Sequence, residues 1–100
     1  MNDESSLTDD QKTEIRQLEI QNKRGLHARA SAKFVSVAGQ FDTIIRVSKD
    51  GTEVVGTSIM GLMMLAAAKG ERITLKAAGQ LAKPALDALE KLINEKFGED

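Results

Sequence analysis

The sequence predicts an α+β fold of split βαβ type. Three helices should cover one face of a four-stranded, mostly antiparallel sheet in an open-faced β-sandwich, in the order β-α-β-β-α-β-α. Three observations carry this expectation. Residues 72–77 alternate, with Ile73, Leu75 and Ala77 on one side and Arg72, Thr74 and Lys76 on the other. That two-residue period belongs to a half-buried strand. Leu26, Ala30, Phe34 and Ala38 recur every fourth residue, the period of a helix face. Between two short β-branched stretches stands Asp50-Gly51, the pair favoured in a tight hairpin.

The elements follow in chain order. Residues 1–11 are polar and acidic without periodicity, so a disordered tail is expected there, with the domain over 12–100. Arg16–Ile20 reads as a strand with Leu18 and Ile20 on one face. A polar loop, Gln21–Gly25, leads to a helix over Ala28–Ala38, which Gly39 should stop. Thr43–Ser48 and Glu53–Val55 read as the two arms of the hairpin. A short helix is expected over Ser58–Ala68, with Ser58 as N-cap and Gly70 as terminator. The last helix is expected over Leu81–Phe97, with Ala82, Leu86, Leu89, Ile93 and Phe97 buried. Pro84 is tolerated in its first turn, where the N–H groups lack intrahelical partners.

Composition bounds the function. One hundred residues suffice for one domain with a modest core. With three aromatic residues, all Phe, that core must be aliphatic. The absence of cysteine excludes disulfides, thiolate catalysis and Cys-based metal sites. No apolar run reaches the length of a membrane span, and Met1 is followed by acidic and polar residues rather than a signal peptide. No membrane insertion and a cytoplasmic location are therefore expected.

The net charge of −1 hides an asymmetry. Asp3, Glu4, Asp9, Asp10, Glu99 and Asp100 lie at the two ends, and residues 11–98 hold nine acids against 14 bases. Between Ile20 and Phe41 stand Lys23, Arg24, Arg29 and Lys33 with no acid, a field that suits phosphate or an acidic partner. Nucleic acid is disfavoured, because the basic fourth strand lacks aromatic residues on which bases could stack.

The chemistry centres on Gly25-Leu26-His27-Ala28-Arg29, which holds the only histidine. A lone histidine is more often a cap or surface filler than a reactive group. Here it precedes a helix, whose N-terminus carries roughly half a positive charge and free N–H groups that bind anions. A neutral imidazole has a lone pair able to attack phosphorus. Arg29 can pair with phosphate oxygens through its planar fork. With no second base nearby in sequence, reversible transfer fits better than hydrolysis, so a carrier with a covalent phosphohistidine is expected rather than an enzyme. Ser58 could carry a phosphate at its helix start without unfolding it. Ile59, Met60 and Met63 lie opposite Leu62, Leu65 and Ala66, so the helix is apolar on both sides and one side is free to dock a partner. No metal spacing or nucleotide loop is present, and no cofactor is expected.

Gly25-Leu26-His27-Ala28-Arg29 together with Ser58-Ile59-Met60-Gly61-Leu62-Met63, and Lys69-Gly70 ahead of the fourth strand, resemble the HPr family over about residues 14–97. These are the histidine-containing phosphocarriers of the bacterial phosphoenolpyruvate-dependent phosphotransferase system. The resemblance implies that His27 takes phosphate on Nδ1 from enzyme I and passes it to an EIIA protein, with Arg29 as the active-site arginine. It implies that Ser58 is the serine modified by an HPr kinase/phosphorylase, and that Ile59, Met60 and Met63 dock enzyme I and EIIA, with Arg24 beside them. A monomer is expected. Ala30 stands where the family usually has Pro, and the acidic N-terminal extension is not general. Both a sugar-transport role and a nitrogen-type regulatory role stay open, as does a mainly regulatory module controlled at Ser58.

Overall fold

In a computed structural model that describes residues 12–99, four strands and three helices alternate as expected. They are β1 (Thr13–Glu19), α1 (Ala28–Ala38), β2 (Ile45–Lys49), β3 (Thr52–Val55), α2 (Ile59–Met64), β4 (Arg72–Ala78) and α3 (Ala82–Asn94). The acidic tail expected over 1–11 lies outside the described residues.

The sheet order is β1-β4-β2-β3, and all three pairings are antiparallel. β4 is central: it pairs Thr13↔Ala78 through Glu19↔Arg72 on one side and Val47↔Leu75 on the other. Its alternation follows from this, because Ile73, Leu75 and Ala77 face the helices and are buried. They meet Phe34 and Ala30 of α1, Leu62 of α2, and Ala85, Leu86, Leu89 and Ile93 of α3 in one core cluster. Among the described residues no element covers the outer face, and Ile15 and Ile44 are exposed there.

Several boundaries differ from expectation, each for a local reason. β1 begins at Thr13 because Thr13 and Glu14 extend the ladder opposite Ala78 and Ala77, pairing that side chains do not advertise. β2 begins at Ile45 rather than Thr43, whose backbone N–H instead turns back to Phe41 O. α2 ends at Met64, not Ala68: Ala66 takes a positive φ of 52°, which closes the helix, and its side chain is exposed rather than buried. Gly70, with φ 89°, instead turns the chain into β4. α3 stops at Asn94, and Phe97 reaches the core from a separate 3-10 turn, Lys96–Gly98, in which it has φ 56°. Asp50 and Gly51 both have positive φ, as the expected hairpin turn requires.

Candidate functional site

The site begins where β1 hands over to α1. Ile20, fully buried, ends the strand side, and the chain turns at Asn22–Arg24. Gly25 then sits at φ 66° with its Cα pressed on the chain after α2; a Cβ there would lie 2.3 Å from Ala67 O. The next residue, Leu26, donates its N–H to that same carbonyl at 3.0 Å and buries its side chain. Gly25 and Leu26 thus fix the backbone from which His27 projects.

His27 is the N-cap of α1. It is extended (φ −72°, ψ 179°), and its Nδ1 accepts the backbone N–H of Arg29 at 3.2 Å. A nitrogen that accepts an N–H carries no proton, so the ring proton sits on Nε2. Nε2–H donates to Oε2 of Glu99. The other oxygen, Oε1, accepts Nδ2–H of Asn22 at 3.1 Å. Asn22 is fully buried and also donates to Gly25 O at 2.8 Å. Burial raises the pKa of Glu99. The hydrogen bonds from His27 and Asn22, with the charge of Arg24, outweigh that and hold it below the ordinary carboxylate range.

Arg29 and Arg24 are exposed on either side of His27, and neither guanidinium makes a hydrogen bond or ion pair within the described residues. Both remain available to an incoming anion. Ser58 accepts Gly61 N–H at 2.9 Å through Oγ and caps α2 as expected. Gly61 is needed for that closeness, since a Cβ there would meet Val54 Cβ at 3.0 Å and Ser58 Oγ at 3.1 Å. Ile59, Met60 and Met63 are exposed, while Leu62 and Leu65 are buried. Met64 is the most exposed of the patch at 77% and extends it, although sequence spacing did not single it out. α2 packs on α1, so patch and histidine belong to neighbouring elements. Ser58 and His27 share no hydrogen bond.

Glu99 is the residue that local sequence reading missed, since it stands 72 positions from His27 and no nearby motif marks it. Among the described residues no group of three or more metal-binding side chains occurs, and no helix is long and apolar enough to cross a membrane. A cleft of about 470 Å³, lined by Lys49, Asp50, Glu71 and Arg72 among others, does not include His27. The His27 side chain is 15% exposed, and exposed Arg24 and Arg29 and the apolar patch of α2 lie on the same and neighbouring elements.

Comparisons with known proteins agree. A family model for the phosphorylation site of the phosphotransferase-system HPr component matches residues 15–95. A phosphocarrier protein HPr of Neisseria meningitidis is 55% identical over 82 residues, covering 82% of this chain and 92% of that protein. A phosphocarrier protein NPr of Shewanella violacea is 43% identical over 84 residues, covering 84% and 92%. The crystal structure of HPr-C-His from Thermoanaerobacter tengcongensis superposes with a TM-score of 0.83 at 44% identity, covering 87% of this chain and 98% of that one. Fold, histidine-bearing helix start and these likenesses lead to one conclusion: the chain belongs to the HPr family of phosphotransferase-system phosphocarriers.

Proposed function

We propose that His27 is the phosphoryl acceptor, taking phosphate on Nδ1 from phospho-enzyme I and passing it to an EIIA-type protein. The observation that carries this reading is Nδ1 at the start of α1, accepting the Arg29 N–H, with Arg24 and Arg29 unpaired beside it. Nδ1 carries no proton, so its lone pair can leave the Arg29 N–H for phosphorus, and phosphate attached there lies at the positive end of the helix. The Arg29 N–H released by Nδ1 is then free for a phosphate oxygen, and the guanidiniums supply charge-assisted hydrogen bonds. Ile59, Met60 and Met63, extended by Met64, form the docking patch, with Arg24 at its border. A cytoplasmic, monomeric protein fits this role. One similar solved structure is that of an HPr dimer from Thermoanaerobacter tengcongensis, so light scattering of the purified chain belongs with the test.

The deciding experiment is intact mass after incubation with phosphoenolpyruvate and enzyme I. An acid-labile phosphate adduct is expected in the wild type and none in His27→Ala. An adduct that persists in the variant overturns the assignment.

A second reading makes Ser58 a control point. Its support is position, since the Ser58 hydroxyl begins the helix whose exposed Ile59 and Met60 would meet enzyme I. Phosphate on Ser58 by an HPr kinase/phosphorylase would put negative charge beside that patch and slow transfer to His27. Ser58→Asp is expected to accept phosphate more slowly than the wild type, and equal rates would remove this arm.

A further inference from the structure

The phosphocarrier reading uses Nδ1 of His27 and gives no part to Nε2, which faces Glu99. That carboxylate is carried to the ring by a built turn. Lys96, Phe97 and Gly98 all have positive φ (57°, 56° and 75°), and the Phe97 side chain is fully buried. The Phe97 carbonyl accepts Lys33 Nζ at 2.6 Å, and Lys33 belongs to the helix that His27 caps. Asn22, fully buried in the loop before the histidine, holds the second oxygen of Glu99. Loop, helix and C-terminal turn converge on one carboxylate.

From this geometry we infer that Glu99 is a positioning residue for phosphoryl transfer: it holds the His27 proton on Nε2 and balances the charge that the ring gains when Nδ1 is phosphorylated. The inference rests on the phosphocarrier role of His27 proposed above. In the forward step the Nδ1 lone pair forms the new N–P bond. The bond between phosphorus and phospho-enzyme I breaks, and its electron pair returns to that donor. The proton on Nε2 does not move, so the ring becomes formally cationic with Glu99 at its other nitrogen. On transfer to EIIA the N–P pair returns to Nδ1 and the ring is neutral again. A carboxylate on the far nitrogen of a working imidazole fixes both tautomer and ring orientation. Glu99 is ionised for this task, because its hydrogen bonds from His27 and Asn22 keep it below the ordinary carboxylate range despite burial.

The test compares full-length wild type, Glu99→Gln and Glu99→Leu. Proton and nitrogen-15 NMR read the His27 ring, and rapid quench reads phosphate acceptance from phospho-enzyme I. The wild type is expected to show an Nε2–H signal protected from solvent exchange. Gln keeps an acceptor and should keep that signal while losing the charge, so its rate falls. Leu loses both, and its acceptance rate should fall about tenfold. A Glu99→Leu variant with unchanged ring signals overturns the inference, as does an unchanged rate in both variants. If the wild type takes no phosphate, the phosphocarrier reading itself fails, and the ring signals alone then decide whether Glu99 holds the Nε2 proton.

Discussion

Gly25→Ala tests the claim that the site is anchored by a backbone contact. Three effects enter. A non-glycine residue at φ 66° costs roughly 1–2 kcal/mol. The new Cβ would stand 2.3 Å from Ala67 O and 3.0 Å from Ala68 Cα, both backbone atoms, so the two segments must part by about 1 Å to reach ordinary contact. That movement stretches the 3.0 Å bond from Leu26 N–H to Ala67 O, a loss of about 1 kcal/mol or more for buried groups. Against these, alanine lowers the entropy of the unfolded chain, which is worth about 0.4–1 kcal/mol. The net expectation is a destabilisation of about 1–3 kcal/mol, and each kcal/mol moves Tm by roughly 4–8 °C in a domain of this size.

Gly51→Ala is the internal control. Its φ is 83°, but a Cβ there meets nothing within 4 Å. It should lose only about 1 kcal/mol, the left-handed strain less the entropy gain. Urea denaturation followed by circular dichroism gives both values. If the two variants lose the same stability, the contact with Ala67 is not what requires glycine at 25, and the anchoring argument fails. Because Gly25 lies two residues before His27, the same variant should also accept phosphate more slowly.

Two further predictions concern caps and charge. Ser58→Ala removes the hydroxyl that accepts Gly61 N–H and should cost about 1 kcal/mol in urea denaturation. Glu71, Asp87 and Glu99 are all held below their ordinary values: Glu71 chiefly by the Ala68 N–H, Asp87 chiefly by Arg16, and Glu99 by His27 and Asn22 against burial. Carboxylates depressed in the folded state bind fewer protons there than in the unfolded chain. Their stabilisation is therefore complete above about pH 5 and is lost as pH falls through and below the carboxylate range. Urea midpoints measured between pH 7 and pH 3 should be flat at first and then decline, and a midpoint that holds or rises towards pH 3 contradicts the ion-pair assignments.

Elements with a strong local signal were legible in the sequence. The stripe of Leu26, Ala30, Phe34 and Ala38 gave α1 its bounds, because one buried face and a glycine stop determine where an amphipathic helix lies. The alternation in β4 was equally clear, since β4 is central and one face is wholly covered. Ends set by backbone geometry were not legible. Ala66 and Phe97 take left-handed φ without being glycine, so nothing in their identity announces the end of α2 or the turn after α3. The site divides in the same way. His27 and Arg29 stand two positions apart at one helix start, so their proximity is readable from the chain. Glu99 reads in the sequence as one more terminal acid, because its partnership with His27 depends on the Lys96–Gly98 turn that buries Phe97.

Ala30 raises the question of whether this helix start is weakened by lacking the proline usual in the family. The geometry says that it is not. Position 30 is fully buried and belongs to the same stripe as Phe34 and Ala38, so a small apolar side chain is what the packing uses. Its N–H is one of the first-turn groups without an intrahelical acceptor. The carbonyl it would otherwise seek, Leu26 O, already accepts Ser31 Oγ–H at 3.1 Å. The order of the first turn comes instead from His27 Nδ1 on the Arg29 N–H and from Ser31 N–H on His27 O at 2.8 Å. Ala30→Pro therefore removes no hydrogen bond. Its restriction of the unfolded chain, worth about 0.4–1 kcal/mol, works against its dislike of a helical residue before it and against fitting a larger ring at a fully buried position, about 1–3 kcal/mol, so stability should fall by about 0–3 kcal/mol. Phosphate acceptance by Ala30→Pro should stay close to the wild-type rate, because the groups that hold the ring are unchanged. A large gain in rate on restoring proline would show that the first turn is loose in the native chain, and that capping by His27 does not order it.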